Sequence, residues 1–372
     1  MAKTLKQRCH EILALPCPAD HHPTMRILIA TVTAGGGHLA AAAALDEAWR
    51  AMRPRDVVER VDLVKFFSKL HKTIHRGGYD KLVEHAPELW GMLFKQTDSP
   101  ARARKLARWR RLFTTPSWHR FVRFINQFKP DVVLCTHYLP FETLGRLRKR
   151  VVGVQPLGCP PAEHAKAWTP ADHSPPFIVS IITDFEAHAL WMDAVVDLYC
   201  VAVEETKARL VARGATAENI VVTGIPIAAK FSAKIDPCGV RKHYGLRDDQ
   251  PVLLVLGGGF GMGPVAEVLV QLDKVARPFQ TIVVAGRNED LRRKLAAQDR
   301  KHPTHVLGFT TNMHELMAVA DLIITKPGGL TSSEALAMGR PLLILDPIPG
   351  QEAANSDFLL ENGAAIKINS LA

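Results

Sequence analysis

Short, continuously apolar runs separated by amphipathic stretches dominate the chain. The first is Met25–Thr31 (MRILIAT), preceded by Pro23 and followed by a glycine-rich turn and an alanine-rich helical stretch from about Leu39 to Arg50. Comparable runs recur at Val57–Val61, Asp131–Cys135, Val151–Val154, Ile178–Ile182, Leu198–Val201 and Ile220–Val222. Because the runs do not alternate with polar residues, and helical stretches lie between them, they predict parallel strands covered on both faces. The pattern loosens over Pro226–Pro237 (PIAAKFSAKIDP), which reads as a linker. It then resumes, with strands expected at Val252–Leu256, Thr281–Ala285, His305–Leu307, Leu322–Thr325 and Pro341–Leu345. Two such series in succession predict an α/β protein of two Rossmann-like domains facing a cleft. The expected division is an N-terminal extension over 1–24, a first domain over 25–232 and a second over 233–372.

Sheets of this kind bind ligands beyond the carboxyl ends of their strands, so the loops that follow each strand carry the chemistry. After the first strand comes Thr33-Ala34-Gly35-Gly36-Gly37-His38. Its glycines permit a sharp turn and close approach, and the helix that begins there offers free amides to an anion. His38 either caps that helix or serves as a general base, its ordinary pKa near 6.5 suiting the second role. Gly35, Gly37 and Ala40 also fit a loose GxGxxA pattern, with Asp62 downstream as a ribose-binding acid. A second loop, Thr183–His188 followed by Trp191, places Asp184 at a strand end. There a carboxylate caps a helix, orients an imidazole or takes a proton itself. Asp184 and His188 would share one face if a helix began at this point.

The third loop, Gly257–Gly263, holds five glycines in seven residues, more than a turn requires. Backbone amides at Gly258 and Gly259 approaching a phosphate explain the excess, and no Lys-Ser/Thr pair follows to make it a Walker loop. Arg287, after the next strand, puts a guanidinium in the same layer of loops. The fourth stretch, KPGGLTSSEALAMGRP from Lys326, reads as strand, glycine loop and helix. Gly328, Gly329, Thr331 and Ser332 form a pyrophosphate seat at the helix N-terminus. Glu334, one turn inside, suits a ribose diol, Gln351 and Glu352 suit sugar hydroxyls, and Phe309 suits a base.

Composition narrows the class. At 372 residues with 47% hydrophobic and 23% charged positions, the chain reads as a soluble globular protein of two domains. No apolar run reaches the roughly 18 residues of a membrane span. Cys9, His10, Pro16 and Pro18 interrupt the N-terminus where a secretory signal would need an apolar core. The six cysteines form no CxxC pair, which points to reduced cytosolic thiols rather than a disulfide frame or a zinc site. A net charge of +10 suits nucleic acid, an anionic membrane or a polyphosphate. Between Asp98 and Asp131 there is no acidic residue, and Arg102, Lys105, Arg108, Arg110 and Arg111 surround Leu106, Trp109 and Phe113 at helical spacing. Within a segment of about 79–124, that mixture predicts docking on an anionic membrane, the alternative being an ordinary solvated basic face. No nucleic-acid-binding module is recognisable, so no nucleic-acid partner is expected.

The strings GFTTNM, KPGGLTSSEALAMGRP and DPIPGQEAANSDFLLENG between Gly308 and Gly363 resemble the donor-binding half of the inverting glycosyltransferases that include monogalactosyldiacylglycerol synthase. Bacterial diacylglycerol glucosyltransferases and the lipid II-forming N-acetylglucosaminyltransferase belong to the same wider group. TAGGGHLAAAAAL, ITDFEAHALW (a TDxxxHxxW pattern) and GIPI resemble the diacylglycerol branch, and the resemblance spans about residues 25–368.

That resemblance implies the GT-B fold and a UDP-sugar donor used as substrate, without a cofactor or a required metal. It implies Phe309 on uracil, the Met313 backbone bonded to it, Glu334 on the ribose, Thr331 and Ser332 on the diphosphate, and Gln351 with Glu352 on the sugar. It places His38 by the acceptor hydroxyl with Asp184 near, either of them taking the proton. Gly36, Gly37, His188 and Trp191 would build the acceptor side. The implied reaction moves a hexose to diacylglycerol and gives a β-glycosyldiacylglycerol, on a cytoplasmic protein held peripherally at the inner face of the membrane. GT-B proteins add helices that cross back to the first domain, and with the sequence stopping at Ala372 these are expected to be missing. The alternatives are a transferase of the lipid-linked N-acetylglucosaminyl type and a UDP-sugar epimerase of the same fold. A dinucleotide oxidoreductase accounts for the first loop alone.

Overall fold

A computed structural model describes residues 24–33, 36–67, 86–103, 105–106, 115–151, 175–259, 261, 263–345 and 347–368. The first half is one parallel sheet of β1 (Arg26–Thr31), β2 (Val57–Asp62), β3 (Val132–Cys135), β4 (Phe177–Ile181), β5 (Leu198–Val201) and β6 (Ile220–Val222), in the order β2-β1-β3-β4-β5-β6. Around it lie α1 (Gly37–Met52), α2 (Pro87–Thr97), α3 (Thr115–Phe128), α4 (Tyr138–Val151) and α5 (Glu204–Ala212). The second half holds α6 (Pro237–His243), β7 (Val252–Leu256), α7 (Val265–Leu272), β8 (Gln280–Val284), α8 (Glu289–Ala296) and β9 (Thr304–Leu307). It continues with α9 (Met313–Val319), β10 (Leu322–Thr325), α10 (Gly329–Ala337), β11 (Leu342–Leu345), α11 (Gln351–Glu361) and β12 (Ala365–Ile368). Its sheet runs β12-β11-β10-β7-β8-β9, again all parallel. Strand order therefore reverses between β1 and β3 and between β7 and β10, the two points where a crevice opens for a ligand.

The continuously apolar strands serve two cores at once. Leu28, Ala30, Val133 and Ile178 pack with Phe121 and Ile125 of α3 and Phe141 and Leu144 of α4. Ile27, Ile29, Leu134 and Val179 face the other way, toward Ala42 and Trp49 of α1. Successive side chains leave a strand on opposite faces, so a strand covered on both sides reads as unbroken hydrophobicity. The starts of β1, β4 and β7 are tied by aspartates that lie just before neighbouring strands. Met25 N donates to Asp56 Oδ1 at 3.0 Å, Arg26 N to Asp131 Oδ2 at 2.7 Å, Ile178 N to Asp197 Oδ2 at 2.8 Å and Val252 N to Asp321 Oδ2 at 2.8 Å.

Two local expectations fail. Val151, expected to open a strand, is the last residue of α4, and 152–154 lie outside the described residues. The preceding LGRLRKR sequence favours helix strongly enough to carry one valine along. Strand β12 was not expected, because AIKI is short and places a lysine within an edge strand. Within Pro226–Pro237, Phe231 is buried in the core of the second sheet together with Ile225, Ala202 and Phe185 of the first half. Phe185 stacks on Phe358 of α11 with ring centroids 4.5 Å apart and planes at 13°. The halves thus meet along an apolar seam that extends from the end of β4.

Candidate active site

At the seam the N-termini of α1 and α10 converge. The start of α1 is pinned from below by the hydroxyls of Thr31 and Thr136, which lie 3.2 and 3.1 Å from the carbonyl oxygen of His38. The His38 ring sits edge-on to His137 at 4.9 Å and 6.2 Å from Trp191, and its Nδ1 lies 3.0 Å from Thr183 Oγ1. A Cβ at Gly37 would stand 3.8 Å from Leu330 Cβ of α10. At Gly329, the first residue of α10, a Cβ would overlap the Thr183 carbonyl oxygen and stand 3.1 Å from Cα and Oδ1 of Asp184. Only glycine permits this approach of one half to the other. Two helix N-termini, each with a partial positive charge, are thus brought together beside His38 and Asp184, an arrangement suited to an anion.

Burial pulls His38 below its ordinary value, with the Asp184 charge acting in opposition. Burial pushes Asp184 up, opposed by the Asn355 amide and by His38. The imidazole is therefore neutral near pH 7 and able to accept a proton. Asn355, fully buried on α11, donates from Nδ2 to Asp184 Oδ1 at 2.9 Å and accepts from Phe185 N at 2.9 Å.

The remaining second-half residues line the same side. Gly258 adopts φ +73°, and the Arg287 amide donates to the Gly259 carbonyl at 3.2 Å, tying the loops after β7 and β8 together. The Arg287 guanidinium lies 5.0 Å over the Phe309 ring, which is 59% exposed and so open to a planar group. Met313 opens α9. Burial pushes Glu334 up to about 7, opposed by the charge of Lys230. Lys230 itself donates to the Thr311 carbonyl at 2.6 Å. In the first turn of α10, Thr331 is half-buried and follows Gly328, the N-cap residue. Ser332 is fully buried, with no hydrogen-bond partner for its hydroxyl among the described residues. Gln351 and Glu352 open α11, and Glu352 Oε2 accepts from Ile348 N at 2.9 Å.

Other expectations do not come together. No helix covers Asp184–His188, so these two do not share a face. His188 instead caps the 3-10 turn Ala189–Trp191, its Nδ1 accepting from Leu190 N at 3.1 Å while Nε2 lies 3.0 Å from the Phe94 carbonyl of α2. Trp191 turns the other way, to His38. Asp62 accepts from Thr33 N at 3.2 Å and from Val64 N at 3.0 Å, capping a turn rather than lining the cleft. Of the basic–aromatic segment, Arg102 and Lys105 are exposed, while Arg108, Trp109, Arg110, Arg111 and Phe113 lie outside the described residues, as does Gly35. Just before them, α2 exposes Leu89, Met92 and Leu93, and a Cβ at Gly91 on the same helix would stand 2.6 Å from Pro349 Cβ of the second half. Among the described residues no helix is long and apolar enough to cross a membrane, and no group of three or more His, Cys, Asp or Glu side chains could hold a metal ion.

His137, Lys230 and Asn355 escaped sequence reasoning. A signal existed only for Asn355, which follows Gln351 by four positions and so shares its helix face.

Comparisons with known proteins agree with this layout. Residues 38–159 and 170–227 match the family described as monogalactosyldiacylglycerol (MGDG) synthase, and residues 252–370 match the glycosyltransferase family 28 C-terminal domain. A processive diacylglycerol beta-glucosyltransferase of Bacillus thuringiensis (strain Al Hakam) is 30% identical over 348 residues, covering 92% of this chain and 82% of the relative. Among solved structures, Staphylococcus aureus MnaA in its UDP co-structure superposes with a TM-score of 0.54 at 14% identity, covering 92% of this chain and 83% of the other. MurG of Acinetobacter baumannii superposes at 0.50 with 16% identity, covering 93% and 86%. At such identities these structures speak to the fold alone.

Proposed function

The chain belongs to the monogalactosyldiacylglycerol synthase family of family 28 glycosyltransferases, and from that premise we propose that it moves a hexose from a UDP-sugar to diacylglycerol, giving a β-glycosyldiacylglycerol. The observation that carries this reading is the convergence at the seam, where Thr183 lies 3.0 Å from His38 Nδ1 through its hydroxyl and against Gly329, at the N-terminus of α10, through its carbonyl. A sugar whose diphosphate rests at that N-terminus presents its anomeric carbon toward His38.

In the proposed step His38 takes the proton of the acceptor hydroxyl, and the oxygen forms a bond to the anomeric carbon. The bond to the UDP oxygen breaks on the opposite face, so the configuration inverts and UDP leaves with the electron pair. Its charge is met by the α10 amides and by Arg287, and the design needs no metal for that purpose. Asp184 stabilises the imidazolium that forms. Phe309 stacks on the uracil, the Met313 backbone bonds its edge, Glu334 holds the ribose, Thr331 and Ser332 serve the diphosphate, and Gln351 and Glu352 the hexose. Gly36, Gly37 and Trp191 border the acceptor.

Diacylglycerol remains in the bilayer, so the acceptor half must meet a membrane surface from the cytoplasmic side. The apolar face Leu89, Met92 and Leu93 of α2, continued by Arg102 and Lys105, supports that role. The test is direct. The full chain, with diacylglycerol vesicles and radiolabelled UDP-glucose, UDP-galactose or UDP-glucuronate in turn, should transfer label to the lipid extract from one of them. Folded protein that moves no label from any donor would overturn the reading.

A further inference from the structure

Asn355 is where the donor half reaches the reacting loop of the other half. Its carboxamide is satisfied on every side. Nδ2 donates to Asp184 Oδ1 at 2.9 Å and to the Pro327 carbonyl at 3.1 Å, and Oδ1 accepts from Phe185 N at 2.9 Å. A single orientation of the amide fits: turned over, its oxygen would face a carboxylate and a carbonyl, and its NH2 would face an N–H. Two of the three partners belong to the loop after β4. The third, Pro327, immediately precedes the glycines at the start of α10, so one buried amide joins the proton-handling loop to the diphosphate seat.

On the transfer reading above, we infer that Asn355 is a positioning residue that fixes the Asp184 carboxylate beside His38 from across the seam, so that the acceptor proton can be taken only while the donor half is seated. A carboxylate oxygen that receives an amide hydrogen is favoured in its ionised form. An ionised Asp184 in turn favours the imidazolium that His38 becomes when it accepts a proton. Burial opposes both charges, and the Asn355 amide offsets part of that opposition at Asp184. The titratable group acting on Asp184 from a neighbouring element is His38 of α1; on its own loop, Glu186 is paired with Arg209 of α5.

Two variants of the full chain test this. Asn355→Asp keeps the volume and the acceptor for Phe185 N but removes both donors, and Asn355→Ala removes the whole carboxamide. In each, kcat/KM for hexose transfer on its neutral plateau should fall by about 10- to 100-fold, the range expected for losing a hydrogen bond to a charged group, and in Asn355→Ala the acidic limb, set by His38, should move down in pH. UDP affinity should stay within about threefold of the parent, since the nucleotide contacts lie on other loops. In Asn355→Ala the pH titration of the His38 ring, followed by its Cε1–H resonance, should move to lower pH because a neutral Asp184 no longer supports the imidazolium. An unmoved plateau and limb with an unmoved His38 titration overturn the inference, as does a loss of turnover that weaker UDP binding accounts for entirely. The ring titration needs no turnover: a parent that transfers no hexose while His38 still responds to Asn355→Ala sinks the transfer reading and leaves the coupling standing.

Discussion

Replacing Gly329 by alanine should separate the two halves without unfolding either. The added methyl would overlap the Thr183 carbonyl oxygen and press on Asp184 Cα and Oδ1 at 3.1 Å. Neither side can yield locally. Thr183 follows a strand in the middle of the first sheet, and Gly329 lies in the first turn of α10, where Ser332 N donates to Gly328 O at 2.9 Å. Ordinary carbon contacts begin near 3.5 Å, so the halves must part by about 1 Å. The Asn355–Asp184 hydrogen bond, now 2.9 Å, then stretches beyond bonding range. A displacement of about 1 Å between reacting groups costs on the order of 100-fold in rate. Initial rates of hexose transfer to diacylglycerol vesicles should fall by that factor, with UDP affinity by calorimetry held within about threefold because the nucleotide contacts remain in one half. At Gly328 the same methyl meets nothing within 4 Å, so Gly328→Ala should leave the melting temperature unchanged. A Gly329→Ala protein with parental turnover would refute the idea that this contact sets the reacting geometry.

Four further outcomes follow from the described geometry. His38→Ala should cut kcat by roughly 100- to 10,000-fold with UDP binding intact, as for loss of a general base. Because burial holds His38 below its ordinary 6.5, parental kcat/KM should keep its plateau past pH 6.5 and decline only on the more acidic side; a limb above that value would contradict the assignment. Glu334 titrates at about 7 when folded, against an ordinary 4.5, so the fold favours its protonated form and stability is lost as pH rises through that interval. Glu334→Gln should accordingly raise the melting temperature at pH 8, do nothing at pH 4, and weaken UDP. Phe309→Ala should weaken UDP by roughly 5- to 150-fold, the range of base–aromatic stacking, and calorimetric affinity within error of the parent would remove the ring from the nucleotide site.

The strands and the loops behind them were legible because a strand buried on both faces leaves an unbroken apolar run, which needs no knowledge of its partners. Ten of the twelve strands follow from that signal; β2 is legible from its valines although Glu59 and Arg60 interrupt it, and β12 is not, its four residues carrying Lys367 at a sheet edge. The positions of Asp184 and His38 in the loops after β4 and β1 were legible for the same reason. Their meeting with α10 was not. Asn355 lies 171 residues from Asp184, and no local pattern encodes a contact between halves. Chain-local geometry also decided His188: the TDFEAH sequence bends instead of forming a helix, which sends His188 to α2 and leaves Trp191 with His38.

The stacked Phe185 and Phe358 rings and the amide beside them also make a gauge of motion. The Phe185 N–H is buried and donates to Asn355, a residue of the opposite half, so solvent reaches it when the seam parts. Amides within β4 or β10 exchange only when their own sheet opens. The Phe185 exchange rate divided by the rate of the same amide in an unfolded chain gives the fraction of time that the halves stand apart, and slower exchange within β4 shows that the sheet itself stays closed. A saturating UDP-sugar that draws the halves together should slow the Phe185 amide alone, which turns one backbone proton into a readout of how donor binding closes the molecule.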